Sequence, residues 1–235
     1  MDNNNYNTLD KINIQKLKKD KTVACLDLGV IPYNKALNIQ MDLFEIIRAQ
    51  NLTGVILLLE HNPVITIGNN RSRENIIVDE DKLKKLGIDI IQSNRGGDVT
   101  FHGPGQLVCY PIFNLAKFSR DLTPFVFNLE QIIINTLGNF SIQGQRIKKL
   151  RGVFVDYKKI ASVGIHVKKW ITYHGFSFNV NVELDYFKHI VACGLKEHTQ
   201  TSLEELLGRQ IDIDDIKEII LKNFQNVFGI KVLRI

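Results

Sequence analysis

Arg95-Gly96-Gly97-Asp98-Val99-Thr100-Phe101-His102-Gly103-Pro104-Gly105-Gln106 is the most heavily punctuated stretch of the chain. Four glycines, a proline, an arginine and a histidine in twelve residues make a poor core element. They make a good close-approach loop, because glycine lets backbone N–H groups come near a ligand. A surface hairpin with tight turns is the plainer reading of the same glycines. The string contains no G-x-x-x-x-G-K-[ST] phosphate loop, and its glycines do not follow the dinucleotide fingerprint.

Outward from this loop the pattern switches between short β-rich runs and amphipathic helices. Strands are expected at 88–92 and 106–113, and at 55–60 and 64–67, the latter pair joined by a His61-Asn62-Pro63 turn. Upstream, 22–28 reads as a strand and 33–50 as a helix with Leu37, Met41, Phe44 and Ile47 on one side. Downstream, Thr123 can cap a helix, Pro124 suits its first turn and Gly138 can end it. Phe125, Val126, Leu129, Ile132, Ile133 and Leu137 form its buried stripe. Strands follow at 152–155, 159–167 and 176–182, the last alternating Phe176, Phe178 and Val180 against Ser177, Asn179 and Asn181. A helix over 214–228 turns Ile216, Ile219, Ile220, Phe224 and Val227 inward and stops at Gly229. The fold class is therefore α/β or α+β, and hairpin-like neighbours argue against an all-parallel sheet.

The chain has 235 residues, 44% hydrophobic and 23% charged, which excludes disordered, collagenous and coiled-coil classes. The longest apolar run, Val55 to Leu59, is far short of the ~18 residues of a membrane helix. Residues 1–21, with Asn3, Asn4, Asn5 and Asn7 before Lys16, Lys18, Lys19 and Lys21, read as a flexible arm ahead of one folded domain over 22–235. With no signal-type apolar core and no arginine before Arg48, a cytoplasmic protein is expected. Three widely separated cysteines suit neither a disulfide framework nor a zinc site. Six histidines offer no ligand spacing, so no metal is expected.

The net charge of +5 is unevenly placed. Residues 146–169 hold eight basic residues and one acid, Asp156, a local +7. That is either a face for an anionic partner or strands with solvated lysines. No zinc finger, helix-turn-helix or aromatic RNA signature accompanies it, so nucleic acid is not indicated.

The Arg95–Gln106 string resembles the signature of the lipoyl(octanoyl) transferases: Arg-Gly-Gly, then Thr100, an aromatic, His102, Gly-Pro-Gly-Gln and, shortly after, Tyr110. The resemblance continues through Glu60-His61-Asn62-Pro63-Val64, where Asn62 replaces a second proline, and through Lys159-Ile160-Ala161-Ser162-Val163-Gly164. It includes Trp170 to Gly175, Phe178 to Asn181, Ala192-Cys193-Gly194-Leu195 and Thr201-Ser202. Lys196 to Gln200 match no family pattern.

The resemblance implies the mixed, helix-flanked sheet of biotin and lipoate ligase catalytic domains. It implies transfer of an octanoyl or lipoyl group from acyl carrier protein to a lysine of a lipoyl domain, the first step of protein lipoylation. The acceptors would be the lipoyl domains of 2-oxoacid dehydrogenase complexes and the glycine cleavage H protein. No cofactor is implied, since the acyl group rides on the carrier's phosphopantetheine, and no membrane. Cys193 would be the thioester-forming nucleophile and Lys159 its partner. Arg95, Gly96, Gly97, Asp98, Val99, Thr100, Phe101 and His102 match substrate-binding segments, as do Ser162, Val163, Gly164, Gly175, Phe176 and Ser177. His174 and Tyr110 would support them.

Chemistry alone leaves alternatives open. Cys193 is a nucleophile needing help at neutral pH, or a small buried hydrophobe. Cys25 and Cys109, inside apolar runs, read as core. Lys158 and Lys159 must face opposite ways along a strand, and the family pattern selects Lys159. Oxyanion stabilisation is expected from amides near Gly164 and the Arg95 loop. An ATP-dependent ligase of the same fold is the runner-up, and a non-catalytic module docking through the basic segment is a third reading.

Overall fold

The computed structural model describes residues 14–19, 21–191 and 199–235. Strands β1 (Thr22–Ile31), β2 (Gly54–His61), β6 (Gln106–Phe113), β7 (Val153–Val155), β8 (Lys158–Lys168), β9 (Ile171–Asn179) and β10 (Lys231–Arg234) build one seven-stranded sheet, in the order β10-β1-β2-β6-β9-β8-β7. The pairs of β1 with β10 and β2 are parallel, and the rest are antiparallel. A second sheet of β4 (Asp89–Gln92), β3 (Val64–Ile67) and β5 (Thr100–His102) holds one parallel and one antiparallel pair. The mixed, helix-flanked sheet is the expected fold class.

The strands on either side of His61-Asn62-Pro63 form as expected, but they are not partners. The turn carries the chain from the large sheet to the small one, and each strand finds its neighbours far away in sequence. The helix α2 (Tyr33–Gln50) has the expected bounds and ends in a left-handed Asn51. Its buried face is rotated from the expected one. Ala36, Ile39, Gln40, Leu43, Phe44 and Ile47 are buried, while Leu37 and Met41 flank them half-exposed. The small Ala36 and the polar Gln40 hid this face from an apolar count.

The short α1 (Ile14–Leu17) lies inside the expected arm, yet Leu17 is buried in the core under α2, so packing begins before Thr22. In α4 (Leu122–Gly138), which follows the short α3 (Glu80–Lys85), the buried stripe is the expected one. The cap is Asp121 rather than Thr123, its carboxylate accepting the Thr123 N–H at 2.8 Å, where an anion also meets the helix's positive end. The helix α6 (Ile213–Phe228) ends at left-handed Gly229, with Leu221 buried and Ile219 and Val227 only partly so. β9 starts at Ile171 rather than 176 and is buried on both faces, because it lies between β6 and β8 under cover on each side. The sequence showed neither α5 (Leu203–Leu207) nor β10, since both are short and one exists through pairing with β1.

One face of the large sheet is closed by α4 and α6, the other by α2 and, further along, by the small sheet. Among the described residues no helix is long and apolar enough to cross a membrane.

Candidate active site

A cavity of about 420 Å³ lies between the small sheet and strands β6, β9 and β8. Arg95, Gly96, Gly97, Asp98, Thr100 and His102 line one side; Tyr110, Lys159, Ser162, Val163, Gly164, His174, Gly175, Phe176 and Ser177 line the other. Four segments scattered over eighty residues of sequence thus meet. Val99 and Phe101 do not line the cavity. Residues 100–102 are a strand rather than a loop, so alternate side chains point away, and Phe101 packs on Tyr186 and Phe187. Cys193 lies outside the described residues.

The Arg95 loop can lie this close to β8 only because glycines meet there. A Cβ on Gly164 would come within 2.6 Å of the Gly96 carbonyl oxygen. The Gly96 N–H donates to the Ile165 carbonyl at 3.2 Å, so this amide of the expected oxyanion set is already engaged. Arg95 is buried and points inward. Its Nε and Nη2 donate to Thr66 Oγ1 at 3.0 and 2.9 Å, and Nη2 also donates to the Thr66 carbonyl at 2.6 Å, tying the loop to β3.

Pro111 sets the geometry of the opposite wall. It has no N–H, and the β6–β9 ladder stops at the Cys109 and Phe176 pair. Beyond it Thr172 Oγ1 repairs the break, donating to the Pro111 carbonyl at 2.7 Å and accepting the Phe113 N–H at 2.9 Å. His174, opposite the break, takes a left-handed backbone with φ of 59°. Its N–H leaves the sheet to donate to Gln40 Oε1 at 2.7 Å, and its ring joins the cavity. Such strain in a non-glycine residue is typical of functional sites. The next residue must be glycine, since a Cβ on Gly175 would fall 1.9 Å from the Cys109 carbonyl oxygen.

Five rings gather here: Tyr33, His61, His102, Tyr110 and His174. Their hydrogen bonds fix the tautomers. His61 Nδ1 donates to the Ile31 carbonyl at 3.0 Å, so Nε2 accepts from the Tyr110 hydroxyl at 2.7 Å. Gln106 Nε2 donates to Asn179 Oδ1 and the Phe101 carbonyl, so its Oε1 accepts from His102 Nδ1 at 2.7 Å. Asn94 Nδ2 donates to the Tyr173 hydroxyl, so its Oδ1 accepts from His174 Nε2 at 2.7 Å. Among the described residues that leaves His174 Nδ1 a buried acceptor with no hydrogen-bond partner, and Gln40 Nε2 is likewise unpartnered.

All three imidazoles are neutral at physiological pH. Burial pulls His61 down to about 4 and His174 to about 3, the latter with help from Arg95, His166 and His61. Burial, then the His61 and Arg95 charges, also holds His102 well below its ordinary value. These rings can orient a carbonyl or an amine through hydrogen bonds without themselves carrying a charge.

Lys159 is the opposite case, a charged type only 3% exposed. Its Nζ lies 5.6 Å from the centre of the Phe154 ring. Lys158 points outward and pairs with Glu205 at 3.6 Å, so the two neighbours face opposite ways as expected. The Lys159 backbone also holds a segment that follows Cys193 in the chain: Lys159 N donates to the Thr199 carbonyl at 2.9 Å and Thr201 N to the Lys159 carbonyl at 3.0 Å. Cys25 and Cys109 are core residues, and burial pushes the Cys25 thiol up to about 12 and that of Cys109 well above its ordinary range. In both, burial favours the thiol over the thiolate.

A family model for the lipoyl protein ligase A/B catalytic domain matches residues 32–225. Octanoyltransferase of Caldicellulosiruptor saccharolyticus is 46% identical over 206 residues, covering 87% of this chain and 88% of that one. Octanoyltransferase of Solibacter usitatus is 44% identical over 211 residues, covering 89% and 95%. The chain belongs to the octanoyltransferase family. It is an acyltransferase. Its fold is that of a lipoate-protein ligase A solved with ATP, with a TM-score of 0.71, 15% identity and coverage of 92% of this chain and 88% of that one. A biotin protein ligase from Aquifex aeolicus, solved with biotin and ATP, follows at a TM-score of 0.53 and 16% identity, covering 88% and 70%.

Tyr33, Arg71, Val108, Lys149, Leu150 and Arg151 also line the cavity and were not singled out as site residues. Val108 was within reach of the β-strand period from Tyr110. Lys149 and Arg151 belong to the basic segment, which the structure divides. Arg146 is bound to Glu130, Lys159 is buried, and Lys168 and Lys169 sit at the far tip of the β8–β9 hairpin. It is neither one face nor simply strands with solvated lysines.

Proposed function

We propose that this octanoyltransferase takes its acyl group from acyl carrier protein as a thioester, holds it on Cys193, and passes it to a lysine of a lipoyl domain. The acceptors are the lipoyl domains of 2-oxoacid dehydrogenase complexes and the glycine cleavage H protein, in the cytoplasm, with neither ATP nor a metal. The observation that carries this reading is a buried lysine, Lys159, in the wall of a cavity that also gathers Arg95 and the hydrogen-bonding rings of Tyr33, His102, Tyr110 and His174.

In the first half-reaction Lys159 takes the Cys193 thiol proton. The thiolate adds to the donor's carbonyl carbon, and the tetrahedral intermediate expels the carrier thiolate, which recovers the proton from Lys159. In the second, the acceptor's amine attacks the acyl-Cys193 carbonyl, Lys159 accepts the amine's proton, and Cys193 leaves as thiolate. A donor that is already a thioester needs no activation by a nucleotide.

The test is mass spectrometry of the intact protein after incubation with octanoyl acyl carrier protein, followed by peptide mapping. One octanoyl group on the peptide bearing Cys193, absent in Cys193→Ala, is expected. An acyl group elsewhere, normal transfer by Cys193→Ala, or product from free octanoate only with ATP and magnesium would overturn the reading, the last in favour of a ligase.

A further inference from the structure

The cavity mouth carries charge that the acyl chain does not need. Arg71, Lys149 and Arg151 line the cavity and are exposed to solvent. Among the described residues none of the three has a carboxylate in ion-pair reach. Asp98 is the one carboxylate in the described lining, and its Oδ2 accepts a hydrogen bond from Asn75 Nδ2 at 2.7 Å.

These cations are held in place from two directions. Lys149 and Arg151 sit on a loop clamped at both ends by Glu130, which is buried. Arg146 Nε donates to Glu130 Oε2 at 3.0 Å and the Gly152 N–H to Glu130 Oε1 at 3.1 Å. Arg146 also lies 3.7 Å from the centre of the Phe127 ring, so its own charge is spent inside the clamp. Arg71 comes from a turn in which the Gly68 N–H donates to the Asp98 carbonyl, the Asn69 N–H to the Arg95 carbonyl and the Arg71 N–H to the Gly68 carbonyl. Two rigid turns thus bring two guanidinium forks and an ammonium to one opening.

We propose that Arg71, Lys149 and Arg151 form a rim site for the phosphodiester of the donor's arm, the group that joins pantetheine to its carrier. This rests on the thioester-donor reading above. A small, multiply accepting anion suits convergent arginines better than the dispersed carboxylates of a protein surface, because each fork can give two charge-assisted bonds to it. Lys148, exposed and outside the cavity lining, remains for the carrier itself.

The experiment compares kcat/KM for transfer to a lipoyl domain from octanoyl-4′-phosphopantetheine and from octanoyl-pantetheine, which lacks the phosphate. The native enzyme should prefer the phosphorylated donor by about 10- to 100-fold, the worth of hydrogen bonds to a charged group. In Arg71→Gln/Lys149→Gln/Arg151→Gln the preference should collapse to within about threefold, while Lys148→Gln keeps it. The single substitutions Arg71→Gln and Arg151→Gln, on separate turns, should each cut it by threefold or more, which keeps the test open if the triple variant does not fold. Equal use of both donors by the native enzyme, or an undiminished preference in these variants, overturns the rim site and leaves thioester transfer standing. No transfer from either donor, with octanoyl acyl carrier protein still used, overturns the rim site alone, and no transfer from the carrier-bound donor as well overturns both. Octanoyl-adenylate carries its phosphate beside the carbonyl; if it were used as well as the phosphopantetheine thioester and lost in the same variants, the site would belong to a nucleotide.

Discussion

The two faces of the large sheet are built on opposite principles. Under α4 and α6, Phe113, Phe118, Phe125, Phe224 and Phe228 pack ring to ring with centroids 5.4 to 6.1 Å apart, and each such pair adds roughly 0.5–1.5 kcal/mol beyond its burial. Toward the small sheet, the rings are Tyr33, His61, His102, Tyr110 and His174, and nearly every polar atom on them is hydrogen-bonded. The first face holds the molecule together. The second uses aromatic volume to exclude water while keeping polar atoms in reach of a substrate, and so pays in stability for each contact left open.

If the faces are separable, substitutions on each should move different observables. The largest effect belongs to Lys159→Ala, with octanoyl transfer falling by about 10²- to 10⁴-fold, the usual loss of a general acid/base, and the melting temperature little changed. Lys158→Ala should lose far less, because its side chain points to Glu205 and solvent. Equal losses would mean that burial of Lys159 has nothing to do with the chemistry. Next comes Phe224→Ala, which opens a cavity under α6 and should cost about 3–5 kcal/mol in urea unfolding while kcat at low temperature holds. A large kcat loss in a folded Phe224→Ala protein would show that the two faces are coupled. Tyr110→Phe removes the donor to His61 Nε2 and strands a buried acceptor, for about 1–3 kcal/mol. Its double-mutant cycle with His61→Phe should recover part of that loss.

The smallest expected effect concerns acid. His61 and His174 have folded-state values near 4 and 3, below the unfolded value of about 6.5. Between those values the unfolded chain binds protons that the folded one refuses. Their neutral burial is therefore fully tolerated above pH 6.5, and stability falls as the pH drops from there through the folded values. Replacing His174 with Gln should flatten unfolding free energy against pH between 6 and 4. An unchanged slope would show that His174 does not titrate this way.

The two faces were not equally readable beforehand. The side covered by α4 and α6 announced itself through period: the stripe from Phe125 to Leu137 comes from local spacing. The other side depends on what spacing cannot carry. Thr100–His102 is a strand only because β3 is there to pair with it, and His174 enters the cavity only because Pro111 interrupts a ladder from sixty residues away. Lys149 and Arg151 were visible as charge but not as mouth, since it takes the buried Glu130 to hold their loop in place. The family signature located more of the site than the physics of spacing did. It also included Val99 and Phe101, which strand alternation turns into the core.

The pairing of β10 with β1 has a consequence for biosynthesis. Thr22 to Cys25 leave the ribosome roughly two hundred residues before their partners Lys231 to Arg234. At ~5–20 residues per second, roughly 10–40 s separate the two. For that interval β1 presents an unpaired flank, with open N–H and C=O groups that any extended peptide can join. The nascent domain therefore passes through a period of exposure to neighbouring chains, which ends only when β10 docks.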